Sequence, residues 1–221
     1  MKCLRLIPLI ATGSMLGAYL PARAGDVQPW PTAFASLPAG GGWQISGEVI
    51  GRFAHDANRA SQGEYRLEAG HPVAPGVIVW AGYVHVDSIL DGHISRRENQ
   101  AVEQLNWSGF PLGPVRLLFR TRLEQRFLSG SDAVAWRIRQ QVRAVVPLGH
   151  VSLVAWVEPF IALNRTAIVR TRFDQVRYFG GVSIPIGHHV DVETGLLRQE
   201  IHGLQGDIAN TALPLILNVR I

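Results

Sequence analysis

Arg116, Arg120, Arg122, Glu124 and Arg126 all fall on even positions of the stretch RLLFRTRLEQRF, and Leu117, Phe119, Leu123 and Phe127 fall between them. A guanidinium is a planar, weakly hydrated fork that binds a carboxylate or phosphate through two parallel hydrogen bonds. A row of them can grip an anionic ligand, face a polyanion, or neutralise carboxylates brought from elsewhere in the chain. The pattern returns at Arg137, Arg139 and Arg143, and matching charges stand at Glu64, Arg66, Glu68, Glu158, Arg177, Asp191 and Glu193.

A second chemistry needs fewer residues. His85 and Asp87 are two apart, which on a strand places both on one face; the period assigns them to the inward face of 77–88. Ser88 and Ser129 lie near the ends of that segment and of 115–127. A serine, imidazole and carboxylate can perform acyl transfer, provided that they reach hydrogen-bond distance. His150, His188 and His189 sit in turn-like segments, and the pair at 188–189 lacks the further ligands of a zinc site. We expect no metal and no cofactor.

These groups must be carried by strands. From residue 43 onward the dominant hydrophobic period is two. Segments 43–54, 62–71, 77–88, 98–107, 115–127, 134–147, 151–163, 174–186, 189–200 and a last one ending at Ile221 make about ten strands. Each is about long enough to cross a bilayer at a tilt. One face of 134–147 holds Val134, Trp136, Ile138, Val142, Ala144 and Val146, while its arginines share the other. Segment 98–107 has the least distinct faces.

Connections of two kinds separate the strands. VAPGV, FPLGP, VPLGH and IPIGH are short, and their proline and glycine fit tight reversals. HDANRASQ, DSILDGHISRREN, SGSDA, NRTAIVRTRF and IHGLQGDIAN are polar and longer, and the two kinds alternate. Short turns at one rim and longer loops at the other describe an outer-membrane barrel, with an even strand count and both termini at the short-turn rim. Trp43, Phe53, Trp107, Phe127 and Trp136 lie near strand ends, where aromatic girdles sit. A soluble sandwich or lipocalin-like barrel would instead bury the apolar face and expose the arginines to water.

The ends of the chain point the same way. Lys2 and Arg5 precede an apolar run from Leu6 to Leu20, and Ala22-Arg23-Ala24 offers small residues for cleavage: a signal peptide over 1–24. Residues 25–42, rich in proline and glycine, are expected to form a periplasmic lead-in to a barrel over 43–221. Without the leader, 18 of the 21 basic residues remain against 17 acidic ones. That balance argues against nucleic acid as a partner, as does the lack of any basic–aromatic platform. GGG at 40–42 has no following Lys-Ser/Thr and is no phosphate loop. The single cysteine, Cys3, falls in the leader, so no disulfide framework is expected.

The stretches RLEQRF (122–127), VEPFIALN (157–164) and FDQVRYFGGVSIPI (173–186) resemble the bacterial family catalogued as domain of unknown function 2490. That resemblance implies an outer-membrane β-barrel and carries no known activity. Together the readings give an all-β, antiparallel, up-and-down transmembrane barrel of a Gram-negative outer membrane, porin-like in build and in contact with lipid and lipopolysaccharide. We expect a non-enzymatic protein with a lumen charge network of Arg66, Glu68, Arg116, Arg120, Arg122, Glu124, Arg126, Arg137, Arg139, Arg143, Glu158, Arg177, Asp191 and Glu193. The alternatives are a narrow anion-selective pore or transporter holding a small anion in its lumen, and a lipid-modifying outer-membrane enzyme.

Overall fold

The computed structural model describes residues 27–54, 59–166, 172–203 and 206–221, so the expected signal peptide lies outside the described residues. Eleven strands follow one another: β1 (Val27–Gly40), β2 (Trp43–Ala54), β3 (Arg59–Ala74), β4 (Val77–Leu90), β5 (His93–Leu112), β6 (Val115–Leu128), β7 (Ala135–Leu148), β8 (Val151–Ala162), β9 (Arg172–Pro185), β10 (Val190–Gly203) and β11 (Gly206–Arg220). There is no helix among the described residues. Each strand pairs antiparallel with its neighbours in sequence, and the sheet closes into a barrel where β1 meets β11 in parallel.

The count corrects the expectation of about ten strands, and β1 is the difference. Residues 25–42 were expected to be a lead-in because of their prolines, yet 27–40 alternate as a strand, with Trp30 buried inside and Leu37 exposed outside. Pairing between β1 and β2 begins only at Thr32, opposite Ile50. Pro29 and Pro31 therefore lie on a stretch paired with β11 alone, the edge-like setting in which a missing N–H is tolerated. An odd strand count also forces the parallel seam. Val27 starts at the rim opposite the one where Arg220 ends, so the two termini do not share the short-turn rim. The barrel is antiparallel at every pairing but this one.

The expected contrast between the rims is also smaller. DSILDGHISRREN is a pair of strand ends joined by Asp91 and Gly92, whose φ of 50° and 79° suit a two-residue hairpin of the primed kind. Its polar residues mark strands with water on both faces, which composition cannot tell from a loop. Likewise β3 starts at Arg59 within HDANRASQ, and β10 and β11 run through IHGLQGDIAN to Gly203 and from Gly206. Longer connections remain at 129–134 and 163–171.

Burial is inverted relative to a soluble domain. Arg122, Glu124 and Glu158 are each 1% exposed, whereas Leu67 is 61% and Leu196 60% exposed. Along β6 the even positions point inward and the odd ones outward, as the period of a strand requires. Apolar packing inside is confined to small clusters, such as Trp30, Val145, Val154, Phe179, Leu197 and Ala212. One contact sets a local shape: the indole of Trp80 on β4 lies across the paired Gly70 of β3, where a Cβ would come within 2.4 Å of the ring.

Candidate functional site

The lumen is the site, and it is assembled from strand faces rather than loops. Eight-stranded barrels are just filled by side chains, so eleven strands leave room for long charged ones. On β6 and β7 the inward positions carry Arg120, Arg122, Glu124 and Arg126 beside Arg137, Arg139 and Arg143. Arg122 lies directly opposite Arg139, so carboxylates must come between the two rows.

They come from five other strands and from β6 itself. Glu158 of β8 accepts from Arg139 through both oxygens, at 3.2 and 2.8 Å, and from Arg120 at 2.7 Å. Glu124 accepts from Arg139 at 2.8 Å and from Arg137 Nε at 2.6 Å. Arg122 reaches Glu68 of β3 at 3.2 Å and the side-chain oxygen of Gln104 at 2.7 Å. Arg126 forks onto Glu98 of β5 at 2.5 and 2.9 Å. Arg143 forks onto Glu193 of β10, and Arg66 donates to Glu48 and, at 2.7 Å, to Glu64. Asp191 accepts from Arg220 and from Asn218. Buried charges of this kind are tolerated because each carboxylate has partners of opposite sign and good geometry.

Of the fourteen residues expected in the network, twelve meet a partner of opposite charge. The exceptions are Arg116 and Arg177. Arg116 is exposed near the short-turn rim, opposite Pro111 and Val145. Arg177 points into the lumen without a carboxylate within ion-pair distance among the described residues. Its guanidinium carbon instead stands 5.4 Å from the centre of the Trp30 ring and 4.8 Å from that of Phe160. Phe160 is fully buried and also carries Arg139 at 4.3 Å and Arg137 at 5.1 Å, three cations around one ring.

Sequence reasoning missed Glu48 and Arg52 on β2, Glu98 and Gln104 on β5, and Trp30. Glu48 and Arg52 share the even face of WQISGEVIGRFA with Ser46, a weak signal because Gly47 and Gly51 dilute the outer face. On β5 the outer face holds Arg97, Asn99 and Glu103, so no apolar row marks the other side as inward. The lumen holds two cavities, of about 330 and 470 Å³. Trp30, Arg52, Glu64, Arg139 and Arg177 line both and form the layer between them.

The second candidate chemistry is placed differently from expectation. His85 pairs with Tyr65 and lies outside the barrel, while Val84 and Val86 are the buried inward residues of β4. A period of two fixes which residues share a face but not which face is inside, and the valines take the inner one. The His85 ring bonds Asn99 at 2.8 Å and Asp87 at 3.2 Å. Ser129 Oγ accepts from the backbone N–H of Arg97 at 3.1 Å. No serine hydroxyl joins the His85–Asp87 pair among the described residues.

A closed eleven-stranded barrel with an ion-paired lumen and an apolar exterior is the class of protein that fold and site define. The chain belongs to the family described as protein of unknown function (DUF2490), which matches residues 27–210 and so begins at the first residue of β1. It is similar to an uncharacterised protein of Methylorubrum extorquens, 34% identical over 196 residues that cover 86% of this chain and 84% of the relative. No solved structure matches the chain.

Proposed function

We propose that the protein is exported by a cleaved signal peptide and inserted in the outer membrane of a Gram-negative bacterium, in contact with lipid and lipopolysaccharide. Its role there is structural and non-enzymatic, with a lumen closed by the Arg/Glu network. The observation that carries this reading is the inversion of burial, with Arg122, Glu124 and Glu158 enclosed and a belt of leucine, valine and aromatic side chains exposed. Exposed apolar surface on that scale needs a nonaqueous neighbour. Closure satisfies the sheet-edge hydrogen bonds that hydrocarbon could not. Trp43, Trp107, Phe127 and Trp136 are exposed near the strand ends, as girdle residues would be.

Two measurements test the reading. The mature protein should fractionate with outer membranes and run faster in detergent gels unless boiled; a soluble periplasmic species without heat-modifiable migration refutes the location. In planar bilayers the wild type should pass no steady current, because Arg122 of β6 reaches Glu68 of β3 and Arg143 of β7 reaches Glu193 of β10, joining strands that are not neighbours in the wall. A second reading, a narrow anion passage, draws on the arginine excess: eight arginines and five carboxylates line the smaller cavity. A steady anion-selective current through the wild type would establish that reading in place of the plug.

A further inference from the structure

The carboxylates of the lumen are already committed. Glu64 serves Arg52 and Arg66, Glu158 serves Arg120 and Arg139, and Glu124 serves Arg137 and Arg139. Arg177 is left with two aromatic faces and one amide: with its oxygen turned to the guanidinium, Gln175 accepts from Arg177 Nε at 2.7 Å. A neutral amide does not balance a cation. Glu158 stands directly opposite Arg177 on the neighbouring strand, but its carboxylate is taken by Arg120 and Arg139.

Arg52 shows the same deficit from the other side. Its guanidinium carbon stands 4.4 Å from the centre of the Trp30 ring that Arg177 also faces, and it gives one Nη to Glu64 at 3.2 Å. Its Nε is buried with no hydrogen-bond partner among the described residues. Such orphaned donors are rare in folded proteins and ask for an acceptor. Both arginines line both lumen cavities, so both are reachable from either side of the layer.

We propose that Arg52 and Arg177, whose guanidiniums both stand close to the Trp30 ring, bind one small monovalent anion in the lumen, a halide or a carboxylate of the size of formate. One negative charge balances the one guanidinium without an ion-pair partner among the described lumen residues, whereas a divalent anion would set its second charge near Glu64 and Glu158. Charge-assisted N–H donors and a partly dry site favour such a ligand over water. The site deepens the lumen reading and needs only a closed barrel. A conducting barrel would overturn the plug and leave this site standing.

The test uses the purified full-length mature protein in detergent, at constant ionic strength made up with a bulky sulfonate buffer anion. Chloride and formate are titrated separately, and the unfolding temperature is followed. We expect a saturable rise with at least one of them, roughly 5 °C at about a hundred times the dissociation constant. Arg177→Gln should abolish it, whereas Arg116→Gln, which removes an exposed rim arginine, should retain it. Independently of any variant, wild-type protein should broaden the chloride-35 resonance, and formate should reverse the broadening. The proposal is overturned if neither anion gives a saturable rise, if Arg177→Gln shows the same rise, or if chloride is not broadened and formate is without effect on stability.

Discussion

Arg139 holds Glu158 through two hydrogen bonds, Nε at 3.2 Å and Nη2 at 2.8 Å, with both side chains almost fully enclosed. Its remaining Nη1 goes to Glu124 at 2.8 Å, so one guanidinium joins β6, β7 and β8 inside the barrel. Losing one member of a buried pair leaves the other charge uncompensated, at a cost of about 3–5 kcal/mol. Arg139→Met should therefore lower the unfolding midpoint sharply. Arg143 and Glu193 pair only with each other among the described residues, so the double variant Arg143→Met/Glu193→Leu should lose less than Arg143→Met alone, because it removes the stranded charge together with its partner. Denaturant unfolding of these variants against wild type checks this, and a double variant weaker than Arg143→Met would contradict it.

Trp80 lying over Gly70 gives a prediction of the opposite kind, steric rather than electrostatic. A Cβ on Gly70 would sit 2.4 Å from Trp80 Cδ2 and 2.5 Å from Cε3, so the indole must move. Gly70→Ala should cost about 1–3 kcal/mol, the range for overpacking. With Trp80→Leu in the background, the same substitution should cost much less. Equal losses in both backgrounds would show that Trp80 is not the obstacle.

The Asp91–Gly92 turn makes a local prediction. Both residues take positive φ, which glycine and aspartate accept far better than alanine. Gly92→Ala should fray the ends of β4 and β5 beyond Ser88 and Arg96, the last pairs before their bulge. Limited proteolysis should cut between residues 88 and 97 faster than in wild type, while the unfolding midpoint of the barrel stays the same. A cooperative loss of the whole fold would mean that this hairpin is integral to the barrel.

How much of this was legible in the sequence depends on which strand is asked. β6 and β7 spelled their faces plainly, since arginine recurs along one face of each and mostly apolar side chains along the other. β5 did not, because Asn99 and Glu103 stand outside and Val102 inside. β1 hid behind Pro29 and Pro31, which make it unlike a central strand although its seam with β11 tolerates them. Pairing was the other gap. Periodicity places Arg120 and Glu158 on inward faces, but only the stagger of the strands decides that Arg120 reaches Glu158 while Arg177 reaches no carboxylate among the described residues. For His85 the period was right and the side wrong, since nothing local shows which face of a strand closes inward.

The outer surface offers the sharpest separation between a membrane barrel and a water-soluble one. Leu67 is 61% exposed, on the outward face between Gly47 and Tyr83 of the adjoining strands. In water, an exposed leucine replaced by arginine away from special features changes stability within about 0.5 kcal/mol. On a lipid face the same change costs about 2–4 kcal/mol near the bilayer midplane. Glu103 supplies the converse: it is exposed on the same outer surface, between Ala81 and Leu123. Glu103→Leu should raise stability in lipid, since a carboxylate leaves the hydrocarbon boundary. Reversible unfolding from lipid vesicles should show Leu67→Arg well below wild type and Glu103→Leu above it. If both variants match wild type there, the apolar belt does not face lipid, and the outer-membrane reading fails with it.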